Sequence, residues 1–430
     1  MQGKLSSWKK KSLSLAGTLT LVQSVINQLA VYSMQHSHIP VNVRQRMEKL
    51  QRDFIWKNEE GKRKIYAVSW DLLCQEKRSG GFGLRNLEVM NDAMLGKVVW
   101  NTIAKPESLC SKVLCGKYGR HRDIKQGVVW RKTDSEVWKN LARLQPSVMR
   151  KVCWEVGNGR GVNFWSDVWV GDGRKLIEKC VRLLENREEN LMVRDMVLRD
   201  GQWDMARIGE LVDIDGIDLI MDVMPPSDLN GEDSIKWGTG LHNQYVVAEL
   251  YHDIRAEQGR EENVWNKVWK WRGPRRVQVF LWLAMHERLL TGVRRSRIMG
   301  GNSSCHQCID QAETIMHVLR DCSVARELWL KLRHVRTNPE FFSLQGRGWF
   351  TWNLSSLSND WALVFGVVCW FLWGWRNRGL FEEGFSLPEN QVAVVLKYVA
   401  NIKAARVEFG RVIGPKQEQY IRWVAPLWVG

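Results

Sequence analysis

Residues 305–322 read CHQCIDQAETIMHVLRDC, and four of these side chains are those that bind transition metals best: Cys305, Cys308, His317 and Cys322. The spacing is C-x2-C-x8-H-x4-C. Two cysteines two residues apart reach one ion from a single tight turn, which is how a structural zinc site usually begins. His317 and Cys322 are five residues apart and cannot share one face of a continuous α-helix. The spacing therefore predicts a break between them, with Asp321 or Ser323 capping the helix that follows. Three sulfurs and one nitrogen suit a closed tetrahedral zinc site that supports a fold and leaves no open position for chemistry. Three other readings compete. A redox-active CxxC would need a βαβ context that is missing here. Cys322 could be an ordinary buried helix cysteine. His306 could replace His317, although its place inside the CxxC turn points it away.

Outward from this stretch, the chain of 430 residues is long enough for two or three domains, and 44% hydrophobic residues mark it as globular. Lysine and arginine exceed aspartate and glutamate, 63 to 47, a net charge of +16 that favours polyanionic partners. The 24 tryptophans serve core packing and base stacking equally well. Nine cysteines, an odd number with three of them clustered, fit a reducing compartment better than a disulfide framework.

The secondary-structure pattern is mainly helical with small β-hairpin elements, an α+β chain. Residues 12–35 follow Lys9-Lys10-Lys11 and resemble a signal peptide in being uncharged. Polar residues interrupt them, however, and Leu15, Leu19, Val22, Ile26 and Leu29 recur at helical spacing. This predicts one amphipathic helix from Ser14 to just before Pro40. A second helix, RQRMEKLQRDFIWK, places Met47, Leu50, Phe54 and Ile55 on a stripe. The glycines of SGGFG read as a tight turn, since no phosphate-loop pattern surrounds them. Residues 150–170 predict a hairpin turning at Gly157-Asn158-Gly159, in which Asp167 is a hydrogen-bonding group rather than an acid catalyst. Residues 171–262 read as an irregular connecting region. In VWNKVWKWRGPRRVQVFLWLAMHERLL, Trp265, Val268 and Trp269 share a face, Pro274 breaks the pattern, and a second helix is predicted to run to Leu290. The cations Lys270, Arg272, Arg275 and Arg276 are candidates for a phosphate-binding edge, which Arg294 and Arg295 extend. The bland alternative is a solvated basic face over a packed core. WALVFGVVCWFLWGW, residues 361–375, is uncharged but too short for a membrane span of about 20 residues, and a buried helix is predicted.

FLWLAMHERLLTGVRRSR, CHQC, ETIMHVLRDC and ARELW, taken in order, resemble the zinc-binding region of plant non-LTR (LINE-type) retrotransposon reverse transcriptases. Landmarks elsewhere keep the same order. LSLAGTLTLVQSVINQLAVYSM, FIWKNEEGKRKIYAVSWDLLC, SGGFGLRN and NDAMLGK resemble the thumb-side region after a polymerase core. WEVGNGRGVNFWSDVW is similar to the family's tryptophan-rich hairpin, and FLWGWRNRGLF and IRWVAP to the stretch preceding a ribonuclease H domain. The resemblance implies zinc ligands at Cys305, Cys308, His317 and Cys322. It implies a thumb-like region over 1–120, a hairpin and connecting region over 121–235, a zinc-binding domain over 236–335, and a helical segment and linker over 336–430. It implies RNA or DNA as partner, a polymerase core supplied in trans, no membrane, and a nuclear location with a cytoplasmic one as alternative. The sequence departs from the family in having His306 after the first cysteine and Ile309, where glycine is usual, after the second. No Asp-Asp pair occurs anywhere, so the metal-holding motif of the polymerase site is not present, and the ribonuclease H carboxylates would follow Gly430. The expected function is therefore non-catalytic nucleic-acid binding; a helical protein-interaction module, or a remnant with no selected function, is the alternative.

Overall fold

The computed structural model describes residues 13–56, 66–118, 129–238, 244–256, 264–355 and 359–412. Lys9-Lys10-Lys11 and the C-terminal YIRWVAPLWVG, read above as a linker, lie outside the described residues. The fold is mainly α-helical with one two-stranded antiparallel sheet among the described residues, as the sequence predicts. Among the described residues no helix is long and apolar enough to cross a membrane. The chain divides into two compact units. One comprises residues 1–23, 49–84 and 260–430, the other residues 24–48 and 85–259.

The first unit is built on the helix Asn359–Phe381, which contains the uncharged run and is longer than it. This helix packs against Arg275–Met285, Gly346–Leu354 and Gln391–Val412. Trp361, Phe365, Val367, Val368 and Cys369 are buried, and Trp329, Trp349, Phe341 and Phe350 join Phe365 in an aromatic cluster. Rings at such offset and edge-on distances add about 0.5–1.5 kcal/mol per pair to their burial. The SGGFG turn is tight. A Cβ on Gly81 would sit 1.9 Å from the Gln75 carbonyl oxygen, so only glycine fits. The turn is tied to the helix Arg275–Met285 because Gly80 O accepts from Trp282 Nε1 at 2.8 Å. That helix ends at Met285 and not at Leu290, and Glu287 just beyond it has a left-handed backbone, φ 56°.

Among the described residues the second unit has, beside a smaller cluster of Ala30, Met34, Ile39, Leu87 and Met94, two larger cores. In one, the helices Leu87–Ala104, Glu136–Met149 and Val247–Ala256 bury Trp100, Trp138, Leu141, Val148 and Leu250 together. Asn86 and Ser135 open the first two of these helices as N-caps, each side-chain oxygen accepting from backbone N–H groups of the first turn. The other core joins the stretch read as a hairpin, 150–170, to the part of the region predicted to be irregular that follows it. There Phe164, Trp165, Trp169, Val193, Met196, Ile208, Leu211 and Ile220 are buried against one another, so this stretch is a packed module and not a connector.

Two further expectations are corrected. The helix from Ser14 to Pro40 is three pieces, Leu15–Ser24, a 3-10 turn Ile26–Gln28, and Val31–Met34, and Leu29 is exposed. The buried Asn91 holds the loop after them, accepting from Ile39 N at 2.7 Å and donating to Met34 O and Ser37 O. The strand Val152–Glu155 pairs with Ser234–Trp237, Val152 opposite Trp237, and not across Gly157-Asn158-Gly159. Those glycines instead form a loop whose Gly157, Gly159 and Gly161 N–H groups all donate to the Asp233 carboxylate at 2.8 Å. Asp167 accepts from Asn163 N at 2.8 Å, the hydrogen-bonding role expected of it.

Candidate metal centre

The sequence brings three short elements to one point. Cys305 and Cys308 sit on a knuckle closed by backbone bonds from Ile309 N to Cys305 O, 2.9 Å, and from Cys305 N to Gln311 O, 2.8 Å. His317 opens a π-helical turn, His317–Asp321, and Cys322 follows it as the N-cap residue of the helix Ser323–Lys331. The predicted break takes this form. Cys322 N donates to His317 O at 2.7 Å, an i to i+5 bond that widens the turn by one residue. Cys322 itself is extended, ψ 141°, and the next helix departs from there. Neither Asp321 nor Ser323 caps that helix, which has no side-chain cap. Trp329 Nε1 donates to Leu319 O at 2.8 Å, satisfying a carbonyl within the π turn. Arg320 is buried across the ring of Trp349 and bonds the adjacent Asp321 carboxylate through Nε at 2.6 Å, which fixes the turn in the core.

The four candidate ligand atoms all lie within 4.8 Å of one another. The sulfurs of Cys308 and Cys322 are 3.7 Å apart, those of Cys305 and Cys322 4.0 Å. Two thiolates about 2.3 Å from a tetrahedral zinc stand about 3.8 Å apart, so the sulfur spacing fits zinc. A disulfide would require about 2.05 Å, and all three cysteines are free thiols. His317 Nε2 is buried and makes no hydrogen bond, an arrangement a neutral ligand nitrogen explains and an ordinary core histidine does not. Burial holds the His317 imidazole below its ordinary value, against the pull of Asp321 and Glu313, so the ring stays neutral near pH 7. His306 is exposed and outside the cluster.

The helix Ser323–Lys331 supplies the electrostatics. The Ser323 N–H, aimed at Cys308, holds that thiol below its ordinary value, and burial acts against it. At Cys322 burial wins and pushes the thiol up to about 12, although the Val324 N–H points at its sulfur. Three sulfurs this close cannot all ionise without a cation among them. A divalent ion is the group that removes the conflict, and the helix N-terminus favours the resulting thiolates. The site thus fits one structural zinc held by Cys305, Cys308, His317 and Cys322, with every position filled by protein. Behind it, the buried Glu313 carboxylate accepts from Arg376 Nε at 2.8 Å and from Arg376 Nη2, which ties the knuckle to the helix Asn359–Phe381.

The candidate phosphate contacts are more dispersed. Arg275 lies over the rings of Trp269 and Phe82, 5.0 and 5.5 Å from their centres, and Arg276 Nη2 donates to the Tyr398 hydroxyl at 2.6 Å. Lys270 and Arg272 are exposed, while Arg295 is half-buried. Arg294 Nη2 donates to Ala67 O at 2.7 Å. Lys77, absent from the sequence-based set, stands over the ring of the same Trp269, 5.7 Å from its centre. Burial, then the Arg275 charge, lower the Lys77 pKa. Only the fold brings Lys77 beside Arg275, so no local pattern could have found it.

Comparison with known proteins agrees with this geometry. Residues 245–329 match the family described as zinc-binding in reverse transcriptase, a span that contains all four candidate ligands. The chain is 29% identical over 451 residues to an Arabidopsis thaliana protein named "Putative ribonuclease H protein", an alignment covering 100% of this chain and 71% of the relative. It is 29% identical over 145 residues to an uncharacterized mitochondrial protein of Arabidopsis thaliana, covering 34% of this chain and 94% of that one. Together these likenesses support a retrotransposon-derived protein with a reverse-transcriptase zinc-binding domain.

Proposed function

We propose that this chain is a non-catalytic part of a LINE-type reverse transcriptase machinery that grips RNA or DNA beside its zinc-supported domain. The observation that carries the reading is the pair Lys77 and Arg275, both over the Trp269 ring. These are two cations and an aromatic face with no carboxylate in an ion pair with either among the described residues. A phosphate between them would relieve a repulsion the protein otherwise bears, and an indole is a stacking surface for any base. Lys270, Arg272, Arg276, Arg294 and Arg295 extend this edge within the same unit in this reading. The proposal carries with it the four-part order of regions, 1–120, 121–235, 236–335 and 336–430, a nuclear location, no membrane, and a polymerase core acting in trans.

The test is fluorescence anisotropy with mixed-sequence single-stranded DNA and RNA at increasing salt. Each phosphate contact should contribute about −0.7 to the slope of log K against log salt. A slope near −3 is expected for about four contacts, reduced by roughly 1.4 in a Lys77→Ser/Arg275→Ser variant. Undetectable binding at low salt would end the nucleic-acid reading. The competing reading is a protein-interaction module, favoured by the exposed Ile214, Met221 and Met224 in the second unit. An apolar partner would bind with little response to salt.

A further inference from the structure

Beside the metal centre, the first unit encloses a cavity of about 620 Å³ between the end of the helix Arg275–Met285, the helix Gly292–Met299 and the start of Gly346–Leu354. This size lies within the roughly 300–1,000 Å³ of small-ligand sites. Four arginines line it, Arg288, Arg294, Arg297 and Arg347, and Glu287 is the one carboxylate on its wall. Arg288 and Arg297 are exposed and have no ion-pair partner among the described residues. Arg294 is tied by one nitrogen to Ala67 O, while its Nη1 is buried without a hydrogen-bond partner. A guanidinium nitrogen withdrawn from water and left unpaired is costly unless an acceptor joins it. Val293 and Ile298, half-buried, supply apolar lining, with the buried Met285, Ile315 and Phe350 behind it.

We propose that this cavity holds one nucleotide, its phosphate on Arg288, Arg294 and Arg297 and its base against the partly exposed Val293 and Ile298. The inference rests on the nucleic-acid reading above and deepens it by naming a site. Planar guanidinium forks match phosphate oxygens pairwise, and three of them line a space that one carboxylate cannot neutralise. Burial first, and the neighbouring Arg288 charge second, lower the Arg294 pKa. The nucleotide can be a unit of a strand or a free mononucleotide; the chemistry is the same and the experiment separates them.

The full chain, loaded with zinc, is titrated with adenosine 5′-monophosphate, followed by phosphorus NMR line broadening. In parallel it is titrated with a fluorescent single-stranded 12-mer, followed by anisotropy. Both are repeated with Arg288→Ser/Arg297→Ser, and with Arg297→Ser alone should the double variant fold poorly. The predicted result is that the double variant weakens whichever probe binds by about tenfold and lowers the strand's salt slope by about 1.4. Binding of both probes, with mutual competition, assigns a free-nucleotide pocket; binding of the strand alone assigns a unit of a chain. Strand binding with unchanged affinity and slope in the variants overturns the cavity site and leaves the nucleic-acid reading standing. Failure of both probes to bind the native chain at low salt overturns both.

Discussion

Ile309 shows how a single residue records the demands of the metal centre. It follows Cys308 in the knuckle with φ 56°, a left-handed conformation that β-branched residues rarely adopt. Curling this way turns the chain back after Ile309, so that Gln311 O accepts from Cys305 N and closes the knuckle. Ile309 is 73% exposed, so little burial offsets the strain. Left-handed backbone costs a non-glycine residue about 1–2 kcal/mol, more than the 0.5–1 kcal/mol of chain entropy that glycine brings. Ile309→Gly is therefore predicted to stabilise the zinc-bound state by about 0.5–1 kcal/mol, roughly a threefold gain in zinc affinity by chelator competition. A weaker site in the variant would mean that the turn adopts another shape. Nothing in the spacing of the ligands marks this position; the dihedral angle does.

At the scale of elements, the ligands were legible because metal chemistry restricts both residue type and spacing. The π turn was not, since nothing local announces one extra residue in a helical turn. It depends on Arg320, Val318 and Leu319 finding partners in a core assembled from distant segments. The strand Val152–Glu155 was legible from its alternation, but its partner is Ser234–Trp237, and the glycines after it suggested a local hairpin. What those glycines serve is the Asp233 carboxylate, about seventy residues away in sequence. The core around Phe164 and Met196 was hidden for a similar reason: its apolar residues are spread through turns and 3-10 segments with no period to detect. The Glu313–Arg376 pair likewise joins elements that sequence alone does not connect. Its side chains are only 3% and 13% exposed, so removing one partner leaves a charge buried. Arg376→Ala is predicted to cost about 3–5 kcal/mol in urea unfolding, and the double variant with Glu313→Ala to cost clearly less than the sum. Additive losses would show that the two groups act independently.

For the whole molecule, a division of labour within the first unit separates packing from metal binding. Aromatic packing around the helix Asn359–Phe381 forms a core, and the knuckle, π turn and helix Ser323–Lys331 are gathered at its edge by four ligands. Without an ion, those ligands leave thiols in mutual conflict and a buried His317 nitrogen without a partner. Metal-binding free energy is folding free energy at such a site, so the stretch from about Val277 to Leu332 depends on it. The cavity and the basic edge border this stretch, and any nucleic-acid binding would depend on zinc through them. The most direct test is the zinc-to-protein ratio of the purified chain and of Cys322→Ser, by elemental analysis, with amide hydrogen exchange over residues 277–332. The prediction is one equivalent of zinc in the native chain, and none in the variant with loss of protection across that stretch. No zinc in the native chain, or zinc and protection retained in the variant, would contradict a structural metal centre at these four residues.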